Sequence, residues 1–475
     1  MNKQWITLSL IAMLATTAGC GSDNDKSRRT TEQRNVQPDA DGTAQLRVVH
    51  AVADAPAVNV LANGAVLLDG VPYGVASGLL AVDPGTYSVQ VDGIVPGGVA
   101  TVVGPADIQL SDDEITNVLA INTLAAIEPL IVTTPDTQVA ANEVRLTVVH
   151  AAAAAPAVDV YVTDPAASLT TPVGTFAFKE TLGPVTVPSG NYRIQVTLAG
   201  DSAVIFDSGD GGLALAGGAD LFVTAIANTG PGSSPIYLLV DDGNGSSIIR
   251  DDTTPASLKV VHAAPSVGNA EVFVSSASLG LSDVELIDTI EYLQVLPAAD
   301  VALEVAAADD YAVSVARDGS GIASALISQA DISLDAGQAY TAIATGGSSG
   351  EPAQLLLIAD DNRAVATEAR VNVIHAAPAA GTVDVYVNAA GSVSAAAILN
   401  GDVTPAIAGF AFGATTGYLS LAAGDYDVRV VAGGSVLAID STVSLSNGLV
   451  ANAIAVGPDE VDNAPAGFGL VLTTN

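Results

Sequence analysis

One phrase recurs four times along the 475 residues, and its spacing constrains the fold more than any other feature. The copies begin at residues 48, 148, 260 and 373 and read VVHAVADAPAVNVLA, VVHAAAAAPAVDVYV, VVHAAPSVGNAEVFV and VIHAAPAAGTVDVYV. Each copy carries one of the chain's four histidines, which are His50, His150, His262 and His375. These lie 100, 112 and 113 residues apart. The interval suits a β-sandwich and predicts four tandem domains.

Other landmarks recur in phase with the histidines. An aromatic residue stands near the middle of each unit, at Tyr73, Phe178, Tyr292 and Phe412. A tyrosine follows in every unit, at Tyr87, Tyr192, Tyr311 and Tyr426. Each copy then closes with two apolar segments. We therefore predict repeats at residues 44–141, 142–254, 255–367 and 368–475.

Side-chain alternation predicts strands within each unit. In LRVVH, residues Leu46, Val48 and His50 share one face and Arg47 starts the other, which predicts a half-buried strand that ends at histidine. A Pro- and Ala-rich bend leads into PAVDVYV, which alternates again. Hydrophobic residues make up 49% of the chain but aromatic residues only 4%, so a core of Val, Ala, Leu and Ile is expected, and this suits strands. Each unit is predicted to be an antiparallel β-sandwich in an all-β protein.

The phrase resembles the opening of a bacterial family, domain-of-unknown-function family 4397. Members open with a strand, a His-Ala pair, a Pro-containing bend and Val-Asp-Val-Tyr-Val. Copies two and four match it best, whereas copy one has Asn59 at the acidic position and copy three has Glu271 with Phe273. The resemblance covers residues 44–475. It implies four tandem immunoglobulin-like β-sandwich domains at a cell envelope or surface, and no established activity.

The first twenty residues predict a secretory signal. Lys3 precedes an apolar run over residues 5–15, which is too short to span a membrane, and small residues lead to Cys20. Thr17-Ala18-Gly19-Cys20 resembles the lipobox of bacterial lipoproteins, although that family usually has Leu where Thr17 stands. Cys20 is thus the predicted lipidation site, and the alternative is a soluble secreted protein with a free cysteine.

The residue after the cysteine bears on location. In the lipoproteins that the segment resembles, Asp at that position retains the protein in the inner membrane, whereas Gly21 stands here. We therefore expect a cell-envelope lipoprotein in the outer membrane of a Gram-negative bacterium. Residues 21–43 are polar and mixed in charge, as in a disordered tether.

Charge narrows the range of partners. Residues 1–43 hold five basic and five acidic side chains, so the net charge of −36 falls entirely on the rest of the chain. The rest of the chain has too few Lys and Arg residues to neutralise a phosphate backbone, so no nucleic acid partner is expected. The acidic surface either serves solubility or attracts a cationic ligand.

The histidines allow a catalytic and a structural interpretation. Nine residues after them stand Asn59, Asp159, Glu271 and Asp384, and an imidazole–carboxylate pair could act as a general base. However, no serine or cysteine accompanies both groups in every copy, and the acid lies on the opposite face to the valines. We predict histidines that hydrogen-bond backbone at a corner and no catalytic residue. The four later tyrosines resemble tyrosine corners.

A metal site in this chain would have to use oxygen ligands. One histidine per unit and one cysteine argue against zinc or copper. Calcium remains open at acidic residues near the unit boundaries, above all Asp241, Asp242, Asp251, Asp252, Asp360 and Asp361. DDGNGSS (241–247) resembles the start of a calcium loop but lacks the closing glutamate. The alternative is polar interdomain linkers that need no cofactor.

These patterns favour a non-catalytic surface module. We expect a lipid-anchored protein that contacts a surface glycan or protein ligand through strand-connecting loops. The first alternative is a structural spacer or envelope coat component without a specific ligand. The second is an enzyme or an accessory to one, because fold does not exclude activity.

Overall fold

The computed structural model describes residues 42–297, 303–434, 436–458 and 467–474. Cys20, the predicted signal peptide and residues 21–41 of the predicted tether lie outside the described residues. Within the described part, strands dominate, and none of the helices is long and apolar enough to cross a membrane. The prediction of all-β sandwich domains is confirmed.

Strands are numbered in chain order. Repeat 1 contains β1 (Ala44–His50), β2 (Val58–Ala62), β3 (Ala65–Val71), β4 (Val75–Ala76), β5 (Leu80–Val82), β6 (Gly85–Val95), β7 (Gly98–Leu110), β8 (Glu114–Ile121) and β9 (Glu128–Pro135). Repeat 2 contains β10 (Glu143–His150), β11 (Val158–Thr163), β12 (Gly174–Phe176), β13 (Thr181–Pro188), β14 (Gly190–Leu198), β15 (Val204–Asp207), β16 (Leu213–Leu215), β17 (Asp220–Ala227), β18 (Ile236–Asp241) and β19 (Ser246–Ile249).

Repeats 3 and 4 follow the same plan. Repeat 3 contains β20 (Ala256–Ala263), β21 (Ala270–Ser276), β22 (Leu281–Ile290), β23 (Val295–Leu296), β24 (Leu303–Val305), β25 (Ala308–Arg317), β26 (Ile327–Leu334), β27 (Ala339–Thr345) and β28 (Gln354–Asp360). Repeat 4 contains β29 (Ala369–Ala376), β30 (Val383–Ala389), β31 (Ile407–Phe410), β32 (Thr415–Leu421), β33 (Gly424–Ala432), β34 (Val436–Leu445), β35 (Val450–Val456) and β36 (Gly469–Thr474). Helical turns are short: 3₁₀ at Leu124–Ala126, Ile322–Ser324 and Pro378–Ala380, and α1 at Ala395–Leu399.

Every repeat is built from two sheets. We call the strand that contains a repeat's histidine its histidine strand (β1, β10, β20 and β29) and the sheet that includes this strand its histidine sheet. The four histidine sheets have the strand orders β4-β1-β8-β9, β13-β10-β17-β18-β19, β23-β20-β27-β28 and β32-β29-β35-β36. The second sheets have the orders β3-β2-β6-β7, β12-β11-β14-β15, β22-β21-β25-β26 and β31-β30-β33-β34. The short strands β5, β16 and β24 add to β1, β14 and β20.

One strand pair in each histidine sheet differs from the antiparallel prediction. The histidine strand runs parallel to a later strand of its repeat, in the pairs β1–β8, β10–β17, β20–β27 and β29–β35. The chain reaches that later strand only after passing through the second sheet, and such a crossover is what parallel neighbours need. Alternation reports which face of a strand is buried but not which strand lies beside it.

The histidine strand is buried on both faces, so the half-buried prediction was wrong. Leu46 and Val48 fill the interior of repeat 1, as expected. Val49 on the opposite face packs with Val149 and Phe222 of repeat 2. The histidine sheets of repeats 1 and 2 thus pack against each other. The apolar residue just before each histidine was the sequence signal for this second buried face.

Repeats 3 and 4 pair in the same way. Val261 and Ile343 of repeat 3 share an apolar cluster with Ile374 and Ile454 of repeat 4. A tyrosine hydroxyl crosses each interface to an equivalent carbonyl oxygen. Tyr73 donates to Ala227 O at 2.5 Å, and Tyr292 donates to Gly457 O at 2.7 Å. The four tandem repeats therefore form two pairs of similar construction.

A buried ion pair joins repeats 1 and 2. Arg47 Nε lies 2.6 Å from Asp241 Oδ1, and the two side chains are 2% and 1% exposed. Arg47 also donates to Asn117 Oδ1 at 2.6 Å, and its guanidinium lies over the Phe222 ring at 5.0 Å. Because both charges are withdrawn from water, each depends on the other for compensation.

We expect Arg47→Met or Asp241→Leu alone to lower the free energy of unfolding by about 3 to 5 kcal/mol, since each strands a buried charge. The double variant should recover much of that loss and give a coupling free energy above about 1 kcal/mol. Urea titrations of the three variants and the parent chain measure both quantities. Purely additive losses would show that the pair does not act as a unit.

Candidate functional site

The four histidines hold the loop that follows their strand. Nε2 approaches the carbonyl oxygen six residues later in every copy: Pro56 at 2.9 Å, Pro156 at 3.1 Å, Gly268 at 2.5 Å and Gly381 at 2.8 Å. In three copies Nδ1 accepts from the amide two residues later, at Val52, Ala264 and Ala377. Donation from Nε2 and acceptance at Nδ1 describe a neutral imidazole that ties a corner.

Aromatic rings surround the imidazoles in every copy. The mid-unit aromatics meet them edge to face, with centroids 5.8 to 6.4 Å apart in all four copies. His50 is 1% exposed, and this burial lowers its pKa to about 4. Burial also lowers the pKa of His375.

The residue nine positions after each histidine binds a hairpin instead of the imidazole. Asp159 accepts from Thr175 Oγ1 and from the Gly200 amide. Glu271 accepts from the Gly319 and Gly321 amides in the loop after β25. Asp384 and Asn59 accept from the Gly409 and Gly70 amides of the neighbouring strands β31 and β3. In the described residues, no hydrogen bond links these side chains to a histidine. The structure thus does not bring together the pair that the catalytic interpretation requires.

The four later tyrosines each bind backbone just before their strand. Tyr87, Tyr192 and Tyr426 donate to the carbonyl four residues earlier at 2.9, 2.9 and 3.0 Å. Tyr311 donates to Ala306 O, five residues earlier, at 2.8 Å. This is tyrosine-corner geometry, with one longer turn in repeat 3.

Five of the six acidic residues considered for calcium form hydrogen bonds or ion pairs with protein groups. Besides the Asp241 ion pair, Asp360 accepts from Thr341, Tyr418 and Asn452, and Asp251 accepts from the Asp207 amide, Thr253 and Thr254. Asp242 accepts from two backbone amides and Asp361 pairs with Arg370. Asp252 has a raised pKa because of burial and the neighbouring carboxylates of Asp207 and Asp251. Throughout the described part of the chain, no group of three or more His, Cys, Asp or Glu residues is arranged to hold a metal.

A polar cavity lies where repeats 1, 2 and 3 meet. It has a volume of about 280 Å³, and its lining includes Tyr73, Tyr237, Arg250, Asn362 and Arg363. Both arginines come from segments between repeats, one before β20 and the other before β29. The cavity therefore exists only because the repeats pack together.

Arg363 is the best-anchored polar group of this junction cavity. Its Nη1 donates to Ala53 O at 3.1 Å and Ala55 O at 2.7 Å, and the side chain is 8% exposed. Its guanidinium lies 5.5 Å from the Tyr73 ring centroid. Arg250 lies at the same distance from the Tyr237 ring.

The two arginines share the lining of the cavity with two acidic residues, Asp360 and Asp361. None of the ion pairs in the described residues includes Arg250 or Arg363. Arg250 Nε and Asn362 Oδ1 are buried without a hydrogen-bond partner. Burial lowers the pKa of Arg363, and the nearby Arg370 adds to this. Asp361 pairs with Arg370 and Asp360 accepts from three neutral donors, so a carboxylate ligand could still bind the two guanidinium groups.

Sequence reasoning missed both arginines. Each stands beside an acidic pair that attracted attention as a calcium candidate, in IIRDD (248–252) and DDNR (360–363). A basic residue recurring next to the acids of two linkers was the available signal. The sequence does not show that the two linkers converge on one cavity.

We expect the melting temperature to be unchanged by excess calcium or by EDTA, because Asp241, Asp360 and Asp251 already accept hydrogen bonds from protein donors. Differential scanning calorimetry in both solutions checks this. A rise in the melting temperature with calcium that EDTA reverses would establish a cation site.

Acid should destabilise the fold through His50. Its pKa is about 4 in the folded chain and ~6.5 when unfolded, so the unfolded chain binds the extra proton as the pH falls from 6.5 to 4. The free energy of unfolding should fall by about 3 kcal/mol over that range from this group. His50→Gln keeps a donor toward Pro56 O and should remove this component. Urea titrations at several pH values compare the two chains, and parallel pH profiles would contradict the assignment.

Comparison with known proteins agrees with the repeat structure. The family model described as "Domain of unknown function (DUF4397)" matches residues 44–161 and 256–386. No curated protein matches the sequence. Among solved structures, the chain is similar to the Bacillus anthracis TIE protein at 11% identity over 88% of this chain and 69% of that chain, with a TM-score of 0.15. At that TM-score the chains do not superpose as wholes, and nothing about this protein follows from the likeness. Because the family model matches more than half of its residues, the chain belongs to the DUF4397 family.

Proposed function

We propose that this protein is a non-catalytic cell-envelope lipoprotein whose β-sandwich domains act together as a surface binding module. Cys20 would carry the lipid in the outer membrane, and residues 21–43 would hold the folded body away from the bilayer. The junction cavity is the observation that carries the proposal. Ligand sites commonly lie at interfaces between domains, and a few convergent polar groups give them specificity.

The cavity favours an acidic sugar unit as the ligand. Guanidinium groups bind carboxylates in a planar two-point geometry, and Arg250 and Arg363 both line the cavity. Asn362 Oδ1 is an acceptor that a sugar hydroxyl could satisfy. About 280 Å³ is near the lower end of the roughly 300 to 1,000 Å³ typical of small-molecule sites, which suits one sugar residue. The nearest acids, Asp360 and Asp361, line the same cavity but already have protein partners. More distant acids, beyond about 8 Å, are largely screened at physiological ionic strength.

A spacer or coat role is the first alternative, and the pairing of repeats weighs against a spacer. Domains joined end to end add length, whereas repeats 1 and 2 bury their histidine sheets against each other. The segment before repeat 4 also contacts repeat 1, because the Ala366 amide donates to Asp54 O at 2.9 Å. These contacts shorten the reach of the chain and create a shared cavity instead.

An enzyme is the second alternative. The recurring imidazoles and carboxylates are each occupied by backbone or hydroxyl groups, which supports a structural role for both. A catalytic role would require turnover that disappears when all four histidines are replaced while the fold is retained.

We expect residues 21–475, purified without lipid, to bind acidic glycans saturably on an array of glycans and envelope proteins. Arg250→Gln and Arg363→Gln should weaken this binding at least tenfold, because each removes one guanidinium from the cavity. Arg317→Gln is the matched control, since Arg317 is exposed and does not line the cavity. Calorimetry verifies that each variant folds.

Absence of saturable binding to every glycan and protein would favour the spacer or coat role. Binding that Arg317→Gln weakens as much as the cavity variants do would indicate general charge attraction. Binding only to envelope proteins would retain a binding module but overturn the acidic-sugar assignment.

A further inference from the structure

The interiors of the four sandwiches differ greatly in how well they are filled. The cavity between the two sheets of repeat 2 has a volume of about 600 Å³, whereas the corresponding spaces in repeats 1, 3 and 4 measure about 50, 40 and 50 Å³. Protein interiors normally leave few voids larger than a water molecule. Small-molecule sites have volumes of roughly 300 to 1,000 Å³. Three copies thus show the filled form of the domain, and repeat 2 departs from it by an amount that suits a ligand.

The cause is a divided strand. In repeats 1, 3 and 4 one continuous strand closes the second sheet, as β7, β26 or β34, and its last residue is a buried leucine. In repeat 2 the same strand is broken into β15 and β16, and the corresponding Leu215 is only half-buried. Residues 208–212 separate the two pieces, next to Asp207, which forms an ion pair with Arg193 at 2.5 Å. The break leaves this edge of the sandwich incompletely covered.

The walls of the cavity are hydrocarbon. Both sheets contribute aliphatic side chains, including Leu146, Val160, Ile194 and Val240. Such walls offer no hydrogen bonds, so a polar ligand would lose its hydration without compensation. Moving methylene groups from water into this space is favourable. The hydrocarbon lining therefore favours an alkyl chain as the ligand.

The lining is polar only where β18 turns into β19. Asp242, Asn244, Ser246 and Ser247 stand there, and Asp242 is exposed and is the one charged residue of the lining. A head group placed beside them would meet a carboxylate and several hydrogen-bonding groups. An anionic head would be repelled by Asp242, whereas a neutral or cationic one would not.

We propose that repeat 2 binds a single-chain amphiphile, with the alkyl chain between its sheets and an uncharged or cationic head group at the β18–β19 turn. This site is separate from the junction cavity and does not depend on the function proposed for that cavity. Repeats 1, 3 and 4 are filled and bind no such ligand.

The test uses residues 21–475 and displacement of the neutral fluorescent probe N-phenyl-1-naphthylamine by three amphiphiles with the same twelve-carbon acyl chain. These are monolaurin, lauroylcholine and laurate, each kept below its micelle concentration. We expect monolaurin and lauroylcholine to displace the probe and laurate to be at least tenfold weaker. Asp242→Asn should bring laurate close to monolaurin.

Two matched substitutions locate the site. Val240→Phe should weaken monolaurin binding at least tenfold by filling the cavity, and it should not lower the melting temperature. Leu357→Phe makes the corresponding change in the filled interior of repeat 3, so it should leave binding unchanged and lower the melting temperature. Leu215→Trp, from the half-buried wall of the cavity, serves as a second filling variant should Val240→Phe not fold.

Three results would overturn the proposal. One is the absence of displacement by all three amphiphiles. Another is monolaurin binding that neither filling variant weakens. The third is laurate binding as tightly as monolaurin to the parent chain, which would contradict the head-group assignment.

Discussion

The burial of the histidine strand on both faces is the constraint on which the rest of this structure depends. A polar side chain on such a strand is withdrawn from water whichever face it lies on, so leaving it without a partner costs free energy. It also explains why the loop after the strand is held so consistently. Water is excluded on both sides of His50, so the imidazole stays neutral and supplies one donor and one acceptor to the corner.

The two pairs of repeats compensate their buried carboxylates in different ways. Repeats 1 and 2 place a charged pair, Arg47 and Asp241, in their interface. In repeats 3 and 4, Asp360 accepts instead from the neutral groups of Thr341, Tyr418 and Asn452. Both arrangements compensate a buried carboxylate, one by opposite charge and the other by several donors. The two interfaces therefore compensate a buried carboxylate at different positions and with different side chains.

Interactions between residues close together in the sequence could be predicted, whereas interactions between distant residues could not. The bond from His50 to Pro56 O and that from Tyr87 to Asp83 O span six and four residues, so a repeated phrase contains all the information needed. Arg47 and Asp241 lie 194 residues apart, and strand alternation does not name a partner at that distance. The repeat 2 cavity is harder still to predict, since Leu213-Ala214-Leu215 has the apolar pattern of a closed sandwich. Whether the interior is filled depends on where this segment lies relative to the other sheet, and alternation does not report that position.

Pairing also explains how one repeat can tolerate an unfilled interior. The histidine sheet of repeat 2 is covered on its outer face by repeat 1, where Val149 and Phe222 lie in a shared apolar cluster. That sheet therefore draws part of its stabilisation from outside its own sandwich. A single sandwich with the same divided strand would have to bear the loss of packing alone. Pairing thus helps repeat 2 to keep its fold around a large cavity, because repeat 1 covers the outer face of one of its two sheets.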